Sequence, residues 1–131
     1  MVKKRSIVKF LIYNFLTLGL YSIYFWYTFG RDVNRMCFVD GKYTRNFFMA
    51  SLLTMLTFGI YIWIWYYNLA ERLYKNADEY NLRIKEDGGI ILLWMLIGGL
   101  FFGIGYFIAV NILINNLNDM AEEYNYTYYN F

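Results

Sequence analysis

Apolar and polar positions along this chain segregate on the scale of whole segments rather than of single helical turns. Residues 10–30, 46–70 and 88–118 carry no charged side chain over 21, 25 and 31 positions. Charges collect in four islands around these runs. The first is Lys3, Lys4, Arg5 and Lys9; the second runs from Arg31 to Arg45; the third from Glu71 to Asp87; the last is Asp119, Glu122 and Glu123. A soluble helix keeps charges on its wet face every turn or two. Uncharged apolar runs of about 18 residues or more are the mark of membrane insertion. Three such runs predict an all-α, helical integral membrane protein. A secretory signal is the competing reading for the first run, but Lys9 and Asn14 interrupt it and no small-x-small cleavage site precedes Arg31. The first run is therefore expected to stay.

The chain also repeats itself. A shift of 40 residues superimposes the first two runs without a gap from Arg5 to Lys75. Arg5 falls on Arg45, Leu16 on Leu56, Thr17 on Thr57, Gly19 on Gly59, Tyr21 on Tyr61 and Tyr27 on Tyr67. A further shift of 44 brings a looser third copy, with Gly103 on Gly59 and Asn118 on Asn34 of the first copy. Such repeats mean one supersecondary unit used several times, and internal duplication is frequent in membrane proteins. The units run over about 5–38, 45–78 and 88–120 of a single membrane domain, followed by a polar tail at 121–131.

Each of the first two units reads helix, Thr-x-Gly-[Leu/Ile]-Tyr, helix. The glycine stands where a left-handed C′ residue would close a short helix, with Leu20 or Ile60 at the apolar C″ position. The alternative is one long helix with a tolerated mid-span glycine. A run of 31 residues measures about 46 Å as a single helix, longer than the roughly 30 Å hydrocarbon core and too short for two spans with a turn. Charge supplies a second criterion. As three single spans, the chain would export four of its twelve Lys and Arg residues; as three hairpins, all twelve share the cytoplasmic face. Three helix-turn-helix hairpins are the favoured architecture, and three kinked transmembrane helices the alternative.

Composition narrows the chemistry. The chain has no histidine, no proline and one cysteine, with a net charge of +2. The usual general base and commonest metal ligand are missing, Cys37 alone makes no disulfide or multi-cysteine zinc site, and the charge gives no footprint for nucleic acid. No catalytic, cofactor-binding or metal site is expected, and the protein reads as non-enzymatic.

Few residues could do anything else. Tyr21, Tyr24, Trp26 and Tyr27, with Tyr61, Trp63, Trp65 and Tyr66, follow the two turns. An interfacial belt with inter-helix packing explains them more simply than an aromatic cage or a lipid groove. Asn111, Asn115 and Asn118 lie on one helical face, with Asn116 beside them. Buried, they hydrogen-bond between helices; facing water, they could line a pore. Arg31-Asp32 and Glu71-Arg72 close the second helices and read as depth anchors. Cys37, near Arg35, could carry a mildly favoured thiolate, though a bystander role is simpler. Gly99 and Gly103 have small-xxx-small spacing, suited to close helix approach. Glu122 to Phe131 reads as a solvated tail, rich enough in aromatics to rest at an interface.

The doubled unit, Leu16-Thr17-Leu18-Gly19-Leu20-Tyr21 and Leu56-Thr57-Phe58-Gly59-Ile60-Tyr61, resembles a family of small bacterial membrane proteins, a domain of unknown function often marked by Thr-Cys-Gly-Ile-Tyr-Gly-Ile-Tyr-Trp. Gly103-Ile104-Gly105-Tyr106 is similar to that family's C-terminal part, so the likeness covers about residues 5–120. Leu18 and Phe58 replace the family's frequent cysteine. A fainter similarity links the turn to the YjgN-like inner-membrane family. The resemblance implies a bacterial cytoplasmic membrane address and carries no activity, substrate or site residue. Taken together, the expected function is a membrane-embedded accessory or interaction module. Its partners would be the bilayer and either a second copy or another membrane protein, without nucleic acid. The alternative is an oligomeric channel or small transporter lined by the Asn111, Asn115 and Asn118 face.

Overall fold

Each apolar run is cut in two by its glycine turn. The computed structural model describes residues 2–98 and 103–129. Six α-helices follow in order: α1 (Ile7–Leu16), α2 (Tyr21–Met36), α3 (Phe47–Leu56), α4 (Tyr61–Asn76), α5 (Gly88–Gly98) and α6 (Ile104–Tyr129). Short 3-10 turns at Phe38–Asp40 and Ala77–Tyr80 follow α2 and α4. The described residues contain no strand, so the all-α expectation holds, with one helix pair per repeat.

The turn motif has a local cause. Thr17 Oγ1 donates to the Tyr13 carbonyl at the end of α1 (2.7 Å) and accepts from the Tyr21 N–H at the start of α2 (3.0 Å). Thr57 does the same between Leu53 (2.8 Å) and Tyr61 (3.1 Å). One hydroxyl thus satisfies an orphan acceptor of the first helix and an orphan donor of the second. The Gly19 N–H reaches back to the Asn14 carbonyl (2.8 Å) and the Gly59 N–H to Thr54 (2.7 Å), the six-to-one bond of a Schellman close. This shifts the expected register by one. The left-handed C′ residues are Leu18 and Phe58, at φ 55° and 57°, and the glycines follow at C″ with φ 90° and 92°. Gly103, at φ 81°, repeats the six-to-one bond with Gly98 (2.7 Å).

The three hairpins close into a ring. Helix α1 packs on α2 and α6, α3 on α4 and α2, and α5 on α6 and α4, while α2, α4 and α6 touch one another at the centre. Two levels of contact show that the central helices run parallel. Near their starts, the Trp26 indole N–H donates to Tyr106 Oη (3.2 Å), which also lies 3.3 Å from Tyr66 Oη. Near the ends of α2 and α4, Cys37 Sγ contacts the Arg72 carbonyl (3.7 Å) and Met120 Sδ (3.8 Å). All three turns therefore sit at one end of the bundle, and the charged islands at the other.

The core fills the space between these levels. Phe25, Trp26, Phe29, Trp65, Leu69, Leu73, Leu113 and Leu117 are buried, and Trp26 meets Trp65 and Tyr66 edge to face. These aromatics pack the interior, whereas Tyr24, Tyr27 and Tyr67 stay outside. The closest helix crossing is α5 on α6. A Cβ on Gly98 would stand 2.4 Å from Gly105 Cα, and one on Gly105 would stand 2.2 Å from the Trp94 carbonyl oxygen. Close approach falls on Gly98 and Gly105, while Gly103 serves the turn and Gly99 lies outside the described residues. The expected tail is also helical. Residues 121–129 continue α6, and Asn125 exchanges two hydrogen bonds with the Val2 backbone (2.9 and 2.7 Å).

Among the described residues, no helix is long and apolar enough to cross a membrane. At 1.5 Å per residue, the ten residues of α1 and α3 cover about 15 Å and the sixteen of α2 and α4 about 24 Å.

Candidate functional site

Ahead of each hairpin runs a leader without helix or strand, residues 2–6, 41–46 and 82–87. Side chains from the preceding unit around the ring tie the first two leaders down. Asn34 on α2 accepts from the Thr44 N–H (2.7 Å) and donates to its carbonyl (2.9 Å). Asn118 on α6 holds Arg5 in the same two-bond manner (2.8 and 2.6 Å). Asn34 and Asn118 occupy the same repeat position, so the third unit clamps the first as the first clamps the second. The second unit has Tyr74 there, and Glu71 instead accepts from the Gly88 N–H (2.8 Å).

A groove lies between each of the first two leaders and the second helix of its own hairpin. In the first, Arg5 turns inward. Its guanidinium meets Asp32 Oδ2 at 2.6 Å and Thr28 Oγ1 at 3.2 Å, over the rings of Phe25 and Phe29. Asp32 is buried, and its Oδ1 has no hydrogen-bond partner among the described residues; Arg31 Nε approaches it at 3.6 Å. The remaining space, against Lys3, Tyr24 and Arg31, is about 220 Å³.

In the second, Arg72 occupies the place of Asp32. Only 5% exposed, it bonds Asp40 through Nε and Nη2 (both 3.0 Å), Asn34 Oδ1 and Thr44 Oγ1 through Nη1, and the Cys37 and Lys42 carbonyls through Nη2 (3.0 and 3.2 Å). Asn76 adds a bond to Asp40 (2.9 Å). Burial alone would push the Asp40 carboxyl up. The hydrogen bonds from Arg72, the Lys42 N–H and Asn76, with the Arg72 charge, outweigh it and hold Asp40 below its ordinary value. Beside this network opens a cleft of about 690 Å³, lined by Lys42, Arg45, Tyr61, Trp65 and Asn68 among others.

Several expectations change here. Arg72 and Asp32 are interior ion-pair groups rather than depth anchors, because each finds an opposite charge inside the ring; Arg31 and Glu71 remain nearer the surface. Cys37 is buried, and desolvation pushes its thiol up to about 12, so Arg35 does not favour the thiolate. The asparagine stripe is split. Asn118 is the clamp on Arg5, Asn116 reaches Glu86 (3.5 Å), Asn111 is half-buried and Asn115 is exposed. Thr17, Gly19, Thr57, Gly59 and Gly103 lie between helices, and Tyr21 and Tyr61 open α2 and α4. Asn34, Asp40 and Arg5 were missed as site residues. The shared register of Asn34 and Asn118 is the signal that could have found the first.

Among the described residues, no group of three or more acidic or cysteine side chains is arranged to hold a metal ion. No curated protein and no solved structure matches the chain. The domain of unknown function (DUF4234) matches residues 5–75, which take in nearly all of the first two hairpins and just over half the sequence, and the chain belongs to that family.

Proposed function

We propose that this protein is a non-enzymatic accessory or interaction module of the bacterial cytoplasmic membrane. Its three turns enter the bilayer from the cytoplasmic side, and its charged end stays in water as the docking face for a membrane-protein partner or a second copy. One observation carries the reading. Leu18 and Phe58 hold left-handed backbone conformations that disfavour any residue but glycine, asparagine or aspartate, yet they are 94% and 98% exposed. Neither gains packing inside the chain to offset that strain. Contact with lipid supplies the missing gain, since each fully buried Leu or Phe side chain returns about 1.5–3 kcal/mol.

The surroundings agree. Phe15, Leu16, Leu20, Met55, Leu56, Ile60 and Ile104 are exposed at the same end, which has no charged residue at the turns. An uncharged apolar patch of this kind marks an interaction or membrane surface, and helices of about 15 Å suit insertion into one leaflet.

The test is Leu18→Asn together with Phe58→Asn. Asparagine tolerates the left-handed conformation, so the detergent-solubilised variant should melt no lower than wild type. In cells it should become extractable by alkaline carbonate, while the wild type stays in the pellet. An unchanged pellet fraction would remove the turns as the membrane-inserting element. The docking half is tested by crosslinking from Arg83 and Lys85 in native membranes, where a discrete crosslinked product is expected.

A further inference from the structure

The two grooves are built on one plan, and one of them is short of a negative charge. In the first, Asp32 neutralises Arg5 at 2.6 Å. In the second, Arg45 stands at the position of Arg5, and the position of Asp32 is another cation, Arg72. Asp40 answers Arg72, which leaves Arg45 with no internal carboxylate. Its carbonyl is pinned to α4 by the Trp65 indole N–H (2.8 Å), while its side chain is exposed in the cleft and makes no ion pair among the described residues. Lys42, on the same wall, makes none either.

The acids of this cleft are largely committed. Asp40 is held by Arg72 and Asn76, and Glu71 by the Gly88 N–H and Lys75 (3.5 Å). Glu79, the third acid of the lining, makes no ion pair among the described residues. The cleft is also lined by the aromatic side chains of Tyr61, Trp65 and Tyr67, and Tyr61 opens α4 directly after the glycine turn. The space of about 690 Å³ is of the size that takes a small-molecule ligand.

We propose that this cleft binds a phosphate-bearing ligand. The phosphate supplies, beside Arg45 and Lys42, the negative charge that Asp32 supplies to Arg5 in the first groove, and the apolar part of a phospholipid lies along Tyr61, Trp65 and Tyr67. Arginine suits such a site because its planar fork matches phosphate oxygens two at a time. The choice of a lipid as the source of the phosphate rests on the membrane reading above; the anion site itself does not.

The experiment uses the full chain in a neutral maltoside detergent, with melting temperature and tryptophan fluorescence followed during two titrations. One adds dihexanoyl phosphatidylglycerol, the other inorganic phosphate. Saturable binding of the lipid is expected, weakened by about tenfold in Arg45→Gln, the loss of one charge-assisted contact, and several-fold in Lys42→Gln. Lys3→Gln, a cation on the first groove, should bind as wild type. Equal affinity for inorganic phosphate would keep the anion site and remove the lipid as its source. No saturable binding in either titration, or equal losses in Arg45→Gln and Lys3→Gln, would overturn the proposal. Arg45→Gln should melt as wild type without ligand, because its guanidinium makes no internal ion pair. If it does not, Lys42→Gln carries the comparison. Carbonate extraction of the Leu18→Asn, Phe58→Asn protein reports separately on the membrane reading.

Discussion

The first two hairpins share a turn, a helix register and a leader, yet they solve the same electrostatic problem with opposite signs. Both bring an arginine to the groove between leader and second helix. In the first hairpin it comes from the leader and meets an acid on the helix, Arg5 to Asp32. In the second it comes from the helix and meets an acid beyond α2, Arg72 to Asp40. The consequence is a difference in reach. Arg5 and Asp32 tie a hairpin to its own leader. Arg72 ties α4 to the end of α2 and to the leader, and thereby joins two repeats. A duplicated backbone can thus carry different connections, provided each buried charge keeps a partner.

The sharpest way to break this comparison is to remove Arg72. Arg72→Leu leaves Asp40 without its cation and removes the Arg72 bonds to the Cys37 and Lys42 carbonyls, and should cost about 3–5 kcal/mol. Asp32→Asn should cost less, about 1.5–3 kcal/mol, since it weakens one charge-assisted bond within one hairpin. Denaturant titration in detergent micelles measures both. Equal losses would mean that the two networks do equivalent structural work.

Acid offers a milder probe of the second network. Asp40 is held below its ordinary value when folded, so its contribution is fully present above the unfolded carboxylate value of about 3.9. It is lost as pH falls through the lowered folded value. Melting temperature should fall over that acid window in the wild type, and Asp40→Asn should lower stability at neutral pH while flattening the acid slope. A slope unchanged by Asp40→Asn would show that other carboxylates govern acid unfolding.

Smaller effects are expected at the turns, where the two hairpins are alike. Thr17→Val and Thr57→Val each lose a double hydrogen bond and should cost about 0.5–1.5 kcal/mol. Gly19→Ala and Gly59→Ala add a Cβ into open space but at positive φ, for about 1–2 kcal/mol. Stabilisation by either alanine would contradict the turn geometry, because a mid-helix glycine responds in the opposite direction.

What was legible in the sequence follows the range of each interaction. The Thr-x-Gly-[Leu/Ile]-Tyr turn could be read because its bonds close within six residues. Its register slipped by one because the left-handed C′ position, which glycine usually fills, is taken here by Leu18 and Phe58 in spite of the backbone cost, with the glycines one residue later. Each charge-free run contains one glycine turn between two helices, while α6 runs on to Tyr129 past the third unit's expected end near 120. The ring closure was not legible. It depends on Asn118 meeting Arg5 and Asn125 meeting Val2, over more than a hundred residues. The roles of Asp32 and Arg72 were hidden for the same reason, since neighbouring Arg31 and Glu71 make each pair look like an ordinary charged helix end.

The smallest effect expected is also the one that separates the third hairpin from the other two. At the position of Arg31 and Glu71 it carries Asn115, exposed and without a hydrogen-bond partner among the described residues. One turn later, Asn118 clamps the first leader. Asn118→Leu leaves both backbone groups of Arg5 without their partner and should cost about 1–3 kcal/mol, whereas Asn115→Leu should stay within about 0.5 kcal/mol, as surface substitutions do. Asn115→Cys, in a Cys37→Ser background, should react rapidly with a water-soluble maleimide in inverted vesicles, because its level on α6 matches the charged end of α2 and α4. A large loss in Asn115→Leu, with slow labelling of Asn115→Cys, would place this face against another protein surface. Fast labelling with an intact fold, joined by ion flux through liposomes that Asn115→Leu abolishes, would instead make the same face the wall of a pore.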